Sequence, residues 1–364
     1  MFSFSTYLNK LTSFFMNRSL NVNKTMFKKL GNSSFKYFAT NASKTEAQGV
    51  EVRIPVPWGH LAGKWWGPKD RTPILTLHGW QDNCGSFNAL IELLPKHLSF
   101  LAIDFPGHGF SSKLPPGFFY HHLNAVILVR RLQSFFNLDK ISLMGHSLGA
   151  ITSYTYGGLY PQSINFAICI DGLQCPINQK KLGRVIESLD GFFKYDAQVN
   201  KIFSNKVEPP AYSIDTMVEM MHKGTRGSID KDKCKYIITR NVKESNSKPG
   251  LFYFDRDPRV KSGPFMNWPM DEMLEHAQRI NFPILSTMAE SSHVMRNHGV
   301  FDIVKDHILK VNSLAEFHDM KGTHHGHLNN PENYAPIIWK FIEKYDKAEK
   351  KIDLKYFEQI KYEE

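Results

Sequence analysis

The sequence is poor in cysteine and has no long apolar run. Only 4 of its 364 residues are cysteine, and no two of them form a Cys-x-x-Cys pair. This argues against a disulfide framework and favours a reducing compartment, with Cys169 packed in the core. The apolar runs are too short and too interrupted for a transmembrane helix, so we expect no integral membrane segment.

Acidic residues are missing from the first 45 positions, which carry seven lysines and arginines. The remaining chain holds 38 basic and 35 acidic residues, so most of the net charge of +10 belongs to this segment. No basic cluster interleaved with aromatic residues follows, and we expect no nucleic-acid partner. The segment is Ser-rich and amphipathic, which predicts a mitochondrial targeting leader over residues 1–48; a disordered basic extension of a cytoplasmic protein is the alternative.

Strand-length apolar runs alternate with helical patterns from residue 50 onward, which is typical of a mostly parallel sheet with helices on both faces. Eight strands are predicted, at 50–56, 60–66, 73–77, 100–103, 140–144, 166–170, 283–288 and 314–318. The alternation breaks over residues 172–270, which favours a helical cap inserted into a core of residues 49–171 and 271–345. A charged tail over residues 346–364 is expected to follow.

A Gly-x-Ser-x-Gly pentapeptide, Gly145–Gly149, lies between a predicted strand and a predicted helix. This is the context in which the pentapeptide forms the nucleophile elbow of an α/β-hydrolase fold. Flanking glycines let the strand and helix backbones cross closely, and the strained turn lifts the serine hydroxyl above the sheet. We therefore predict that Ser147 is a nucleophile and that the backbone N–H of Leu148 binds an oxyanion.

A second oxyanion donor is expected in the loop after the third strand, where His78-Gly79-Trp80 stands. In this fold such a donor is a backbone N–H, and Trp80 has the corresponding position. The side chains of His78, Asp104 and His108 are interpreted as structural, because residues of these types in turns commonly bond backbone groups.

The catalytic base should come late, because serine, acid and histidine follow in that order in this fold. Three histidines stand between the last predicted strand and the last predicted helix, at positions 324, 325 and 327. We favour His324, at the start of the loop, with His325 as the second candidate and His327 as a packing residue. Carboxylate or cysteine partners at metal-ligand spacing are missing, so neither a metal nor another cofactor is expected.

The triad acid is less clearly marked. The usual position follows the strand 283–288, where the chain offers Glu290 and no aspartate. Asp171 ends the preceding strand, an alternative place for the acid in this fold, and we favour it. Glu290 stays open as the second candidate and Asp302 as a third. In any of these positions the acid would fix the histidine tautomer and stabilise the imidazolium.

Six stretches of the sequence carry a resemblance to a known family: Val56–Gly63, Leu77–Asn83, Asp104–Gly109, Gly145–Gly149, Phe254–Val260 and Gly322–Pro331. They resemble the serine hydrolase-like proteins of animals, including the kraken-type members of insects. The resemblance spans about residues 50–345. It implies an α/β-hydrolase of undefined substrate, and its late Gly-x-His-x-x-His pattern supports His324 without settling the acid.

These features predict a serine hydrolase that cleaves a small carboxylic ester or thioester through an acyl-serine intermediate. Carbon–carbon bond hydrolysis and acyl transfer use the same triad and stay open, as does a catalytically weak binding protein on a hydrolase fold. Aromatic residues and methionines of the predicted cap suggest an apolar acyl pocket, although packing within the cap is the commoner use of such residues. The members of this set are Phe192, Phe193, Met217, Met220, Met221, Phe252, Phe254 and Phe265.

Overall fold

The computed structural model describes residues 49–175, 181–204, 207–263, 268–292, 299–346 and 361–362. The predicted leader and nearly all of the predicted charged tail lie outside these residues, so mitochondrial targeting stays a prediction. Within the described ranges, none of the helices combines the length and the hydropathy needed to cross a bilayer.

A nine-stranded sheet forms the centre of the molecule, in the order β10-β9-β6-β5-β3-β4-β2-β1-β11. The pairings β1–β2 and β2–β4 are antiparallel. Six neighbouring strands of the sheet are parallel to one another: β4, β3, β5, β6, β9 and β10. All eight predicted strands are present, and a two-residue ninth, β11, pairs with β1. The strands of this sheet are β1 Val50–Val56, β2 Gly59–Trp66, β3 Ile74–Leu77, β4 Phe100–Ile103, β5 Ile141–His146, β6 Ile164–Ile170, β9 Ile284–Ala289, β10 Ala315–Met320 and β11 Lys361–Tyr362.

Helices cover both faces of this sheet, which confirms the predicted fold class. The central strands β3 and β5 are buried along their whole length, as expected for parallel strands packed on two sides. One core joins the sheet to α2, α3, α7 and α8, and the other joins it to α1 and α10. The helices are α1 Asn88–Glu92, α2 His122–Phe135, α3 Leu148–Leu159, α4 Lys181–Phe203, α5 Ile214–Gly224, α6 Lys235–Ile238, α7 Met270–Gln278, α8 Val300–Val311, α9 Gly326–Asn329 and α10 Pro331–Tyr345.

The segment between β6 and β9 contains α4, α5 and α6, as its helical patterns predicted. It also contains an antiparallel hairpin, β7 Val242–Glu244 with β8 Phe252–Phe254, which the expectation of a helical cap missed. The three aromatic residues of β8 favour a strand, because aromatic side chains pack well on a pleated surface. Strands of three residues are too short to show a clear alternation, so pattern analysis overlooked them.

Buried polar contacts attach this inserted segment to the loops at the carboxyl ends of the parallel strands. Asp257 donates its backbone N–H to Gly107 O at 2.8 Å and accepts from the Tyr120 hydroxyl at 2.9 Å. Arg240 donates to Asp104 Oδ2 at 2.8 Å, with both side chains buried. Since buried charges of this kind need partners, the contacts attach the segment firmly to the loop after β4.

Candidate active site

Ser147 occupies a strained turn between β5 and α3. Its backbone has φ 51° and ψ −113°, a conformation that side-chain-bearing residues rarely adopt. Its N–H donates to Ile170 O, at the end of the neighbouring strand, at 3.0 Å. The side chain is half-buried, in contrast to the buried residues around it. The turn therefore presents a serine hydroxyl at the carboxyl edge of the sheet, as the pentapeptide predicted.

The two glycines of the pentapeptide stand where backbones cross. A Cβ atom at Gly145 would overlap the carbonyl group of Gly149, and one at Gly149 would overlap the Leu77 carbonyl oxygen. Neither obstacle is a flexible side chain, so no rotamer change would relieve the overlap. The spacing of the glycines is therefore a packing requirement of the elbow.

His324 and Asp171 are brought together at the same edge of the sheet. The His324 Nδ1–H donates to Asp171 Oδ2, although the two residues are far apart in the sequence. The side chain of Asp171 is 1% exposed and that of His324 is 11% exposed. A carboxylate bonded at Nδ1 leaves Nε2 of the neutral ring as the free acceptor, which is the tautomer a general base requires.

Asp171 is itself held by its surroundings. Its Oδ1 accepts from the Ala289 N–H at 2.6 Å, and its Oδ2 accepts from the Ser292 hydroxyl at 2.5 Å. The next residue, Gly172, lies against the elbow: a Cβ there would be 2.7 Å from Ser147 O. This packing places the carboxylate beside the serine turn with a fixed orientation.

The two other acid candidates lie elsewhere. Glu290 follows β9 as predicted, but its side chain is exposed, and its backbone N–H bonds Met320 O at 2.9 Å. Asp302 lies in the first turn of α8 and pairs with Lys305 at 3.0 Å, with 67% of its side chain exposed. Of the three candidate acids, Asp171 is therefore the one that accepts a hydrogen bond from His324.

The loop after β3 is held by two buried histidines that bond backbone groups. His78 donates from Nδ1 to Gly79 O at 2.7 Å and accepts at Nε2 from Phe105 N at 2.9 Å. His108 donates to Pro106 O at 3.0 Å and accepts from Gln81 N at 3.2 Å. Burial lowers the pKa of His78, and it lowers the pKa of His108 to about 3. Both rings are therefore neutral braces for this loop, in agreement with their structural interpretation.

The two residues predicted to supply oxyanion donors have the expected positions. Trp80 stands in the loop after β3, half-buried, with its ring centroid 5.4 Å from that of His108. Leu148 is the first residue of α3, directly after Ser147. N–H groups in the first turn of a helix have no partner within that helix, so they are open to an anionic ligand.

Asp104 is a structural residue, as predicted for the loop after β4. Its carboxylate accepts from Cys84 N at 2.8 Å and from Phe110 N at 2.9 Å. Burial alone would raise the pKa of Asp104, but the Arg240 guanidinium outweighs it and lowers the pKa below its usual value. The sequence analysis did not predict this partner, because Arg240 lies in the inserted segment, far from Asp104 along the chain.

A buried cluster that the sequence analysis missed lies beside the candidate triad. Asp82 Oδ2 is 3.5 Å from His146 Nδ1 and 3.4 Å from His325 Nε2. Burial raises the pKa of Asp82, but His325 and His146 more than offset this and hold the pKa well below its usual range. His327 packs its buried ring against Phe87, with centroids 5.1 Å apart. Asp82 was noted only as part of a family resemblance, so its chemistry was overlooked.

The apolar residues assigned to the cap divide between two environments. Met217 and Phe252 are buried within the inserted segment, whereas 69% of Phe193 and 41% of Met220 are exposed. Phe265 lies outside the described residues. Packing therefore accounts for part of this set, and the exposed members leave apolar surface on the inserted segment.

Comparisons with known proteins identify the fold and the family. A family model described as alpha/beta hydrolase fold matches residues 72–331. A probable serine hydrolase of Drosophila melanogaster is 33% identical over 80% of this chain and 87% of its own length. A serine hydrolase-like protein of Danio rerio is 30% identical over 85% and 93%, respectively. The crystal structure of a hypothetical protein from Pseudomonas aeruginosa PAO1 superposes with a TM-score of 0.67 at 25% identity, covering 82% of this chain and 99% of that one.

Proposed function

We propose that this chain, which belongs to the alpha/beta hydrolase fold family and within it to the serine hydrolase-like proteins, cleaves a carboxylic ester or thioester through an acyl-serine intermediate. The observation that carries the proposal is the hydrogen bond from His324 Nδ1 to Asp171 Oδ2, formed beside the strained turn of Ser147. An oriented histidine near a serine hydroxyl is the arrangement that nucleophilic acyl transfer needs.

In the first step His324 acts as the base. Because Nδ1 carries the hydrogen that Asp171 accepts, Nε2 is free to take the proton of the Ser147 hydroxyl. The serine oxygen then forms a bond to the carbonyl carbon, and the carbonyl oxygen becomes an oxyanion. The backbone N–H groups of Trp80 and Leu148 hold this charge, in a loop braced by neutral histidines and at a helix N-terminus.

The second half of the reaction reverses these roles. The bond to the leaving alcohol or thiol breaks, and His324 returns the proton to the departing atom. Water then loses a proton to His324 as its oxygen bonds to the acyl carbon. When the second tetrahedral species collapses, the bond to the serine oxygen breaks, His324 gives its proton to that oxygen, and the acid is released. Asp171, nearly fully buried and bonded by two further donors, stabilises the imidazolium in each half.

Substrate selection is assigned to the segment between β6 and β9, which we propose as a cap over the site. Its attachment through Arg240 and Asp257 to the loops after β4 supports this position. The acyl group is expected to be apolar, because the segment carries exposed Phe193 and Met220.

A fluorophosphonate probe tests the nucleophile. The full chain and a Ser147→Ala variant would be incubated with the probe and weighed intact by mass spectrometry. We expect one covalent adduct on the wild-type chain and none on Ser147→Ala. Folded wild-type chain without an adduct, or a variant labelled as fast as wild type, would contradict the proposal.

Hydrolysis assays then test the bond that is cleaved. Matched oxygen esters and thioesters of increasing acyl length would be offered with and without an acceptor alcohol, beside a β-diketone for carbon–carbon cleavage. We expect release of free acid from the esters or thioesters, with Ser147→Ala inactive. Turnover of the diketone alone, or product formed only with the acceptor, would assign the same serine to one of the alternative reactions.

A further inference from the structure

Four buried side chains, outside the residues assigned to catalysis, meet beneath the elbow: Asp82, His146, His325 and His327. One nitrogen of His146, one nitrogen of His325 and one oxygen of Asp82 all lie within 4.8 Å of one another. These residues come from the loop after β3, the end of β5 and the loop before α9. The fold therefore supplies the carboxylate partner that sequence spacing did not place near His325.

Two distances within this cluster are those of ligands around one ion rather than those of hydrogen bonds. Asp82 Oδ2 lies 3.4 Å from His325 Nε2 and 3.5 Å from His146 Nδ1. Ligand atoms at 2.0–2.1 Å from a tetrahedral zinc ion are about 3.3–3.4 Å apart. Within the described residues, Asp82 Oδ2 and His146 Nδ1 are buried and make no hydrogen bond.

Hydrogen-bond chemistry makes the contact between Asp82 and His146 unfavourable without a cation. His146 Nε2 bonds the backbone oxygen of His324 at 2.9 Å, and a carbonyl oxygen only accepts, so Nε2 carries the hydrogen. In the neutral ring Nδ1 is then a bare lone pair. It faces a carboxylate oxygen, which is also an acceptor, and a positive ion between the two atoms would satisfy both.

The outer nitrogens of both histidines are held in the manner of metal ligands. Metal-binding histidines almost always donate their other ring N–H to a carboxylate, a backbone carbonyl or water, and a serine hydroxyl can accept in the same way. His146 does so with the His324 carbonyl, and His325 bonds the Ser228 hydroxyl through Nδ1 at 2.8 Å. The nitrogens that face Asp82 are therefore fixed in direction.

Gly79 leaves space beside these ligand atoms, and a further buried imidazole lies next to them. Gly79 lacks a side chain at this point: a Cβ there would lie 2.8 Å from Asp82 Oδ2 and 2.9 Å from His146 Nδ1. The ring of His327 lies 4.2 Å from that of His146 between centroids, and neither of its nitrogens has a hydrogen-bond partner in the described part of the chain. A fully buried imidazole without a partner is costly, but His327 lies outside the group of ligand atoms within 4.8 Å of one another and is not counted as a ligand.

From this arrangement we infer that Asp82, His146 and His325 form a binding site for a divalent transition-metal ion of the zinc type. One carboxylate and two imidazoles suit zinc, cobalt, nickel and copper better than the oxygen-loving calcium or magnesium. The site is separate from the proposed hydrolysis, since no step of that reaction passes through the ion. Two of its ligands, His146 and His325, nevertheless stand next in sequence to Ser147 and His324, so the ion would stiffen the supports of both residues.

Binding of zinc to the full chain tests the inference without any activity assay. Chelator-treated protein would be titrated with ZnCl₂ alone by calorimetry, and cobalt would report ligand geometry through its visible absorption. We expect one ion per chain for wild type and at least a 100-fold loss of affinity in Asp82→Asn and in His325→Gln. The control is His318→Gln, which changes an exposed histidine 3.9 Å from Glu316 and should bind as wild type does.

Two results would overturn the inference: absence of zinc binding by folded wild-type protein, or wild-type affinity in both Asp82→Asn and His325→Gln. Circular dichroism would show whether each variant folds. If one variant does not, Ser228→Ala provides a further test, because it removes the hydroxyl that orients His325 and leaves the ligands in place. We expect a 10- to 100-fold loss of zinc affinity for Ser228→Ala, and unchanged affinity would count against the site.

Discussion

Two consecutive histidines face two different carboxylates, and the two pairs differ in how fully the carboxylate is satisfied. His324 donates to Asp171, which also accepts from Ala289 N and from the Ser292 hydroxyl. His325 lies 3.4 Å from Asp82, whose Oδ2 has no hydrogen bond within the described residues and is shared with His146. The first pair is built to hold one tautomer, and the second leaves lone pairs directed at a common point.

The two histidines differ little in solvent exposure but strongly in the orientation of their rings. The side chains of His324 and His325 are 11% and 7% exposed, so both lie just below the surface. Their rings are almost perpendicular, with an interplanar angle of 85°. Adjacent residues can therefore serve separate purposes, because the His324 ring faces Asp171 after β6 and the His325 ring faces Asp82 after β3.

Of the substitutions that test the difference between the two pairs, the replacement of His324 should slow labelling of Ser147 the most. A His324→Gln variant keeps a polar side chain but removes the base, so fluorophosphonate labelling of Ser147 should slow at least about 10⁴-fold. The second-order rate constant of labelling, measured by intact mass, reports the change. His318→Gln serves as the matched control and should label at the wild-type rate. Equal rates for the two variants would rule out His324 as the base.

Acidification tests a third kind of histidine, which bonds backbone groups instead of a carboxylate. Burial lowers the pKa of His108 to about 3 in the folded chain, whereas the unfolded chain keeps about 6.5. The unfolded state therefore binds more protons between these values, so the stabilising contribution is full above about pH 6.5 and is lost as pH falls towards 3. Between pH 7 and 5 the free energy of unfolding should fall by about 2 kcal/mol through His108 alone.

Urea unfolding at the two pH values measures this loss. In His108→Gln the amide can still accept from Gln81 N, but the titrating group is gone. Its free energy of unfolding should therefore change by about 2 kcal/mol less than that of wild type between pH 7 and 5. An unchanged pH dependence would show that His108 is protonated in the folded chain.

Removal of the Ser292 hydroxyl has the smallest expected effect. Ser292→Ala takes away one of three donors to Asp171 and leaves the His324 contact in place. A hydrogen bond to a charged group contributes about 1.5–3 kcal/mol. Because the two remaining donors still hold the carboxylate, only part of this energy is lost, and labelling should slow about tenfold. Ser291→Ala removes an exposed hydroxyl one residue earlier and should leave the rate unchanged. Equal effects from the two substitutions would make Ser292 a bystander.

Local patterns account for what the sequence predicted well. The elbow of Ser147 depends on five consecutive residues and on the strand and helix beside them, so its position followed directly. Buried runs of branched residues likewise located the eight strands. The short hairpin of β7 and β8 left no comparable pattern, because three residues cannot display a period.

Contacts between distant parts of the chain explain the rest. Three places for the acid stayed open, and the choice between Asp171 and Glu290 depends on which strand ends beside the histidine loop. In the structure β6 lies between β5 and β9. Asp171 follows β6 and therefore lies next to the elbow, whereas Glu290 follows β9 and lies one strand further away. The cluster of Asp82, His146 and His325 joins two loops and the end of β5, and no spacing within the sequence could reveal it.

The first two acid candidates of the sequence analysis, Asp171 and Glu290, provide the most direct test of the site. Asp171→Asn and Glu290→Gln each replace a carboxylate by an amide of the same shape, and the second-order rate of fluorophosphonate labelling compares them. Asp171→Asn should slow labelling by roughly 10³- to 10⁴-fold, because its amide would favour the wrong tautomer of His324, while Glu290→Gln should stay within about twofold of wild type, as surface substitutions generally do. A large loss in Glu290→Gln, with Asp171→Asn labelled at the wild-type rate, would contradict the account.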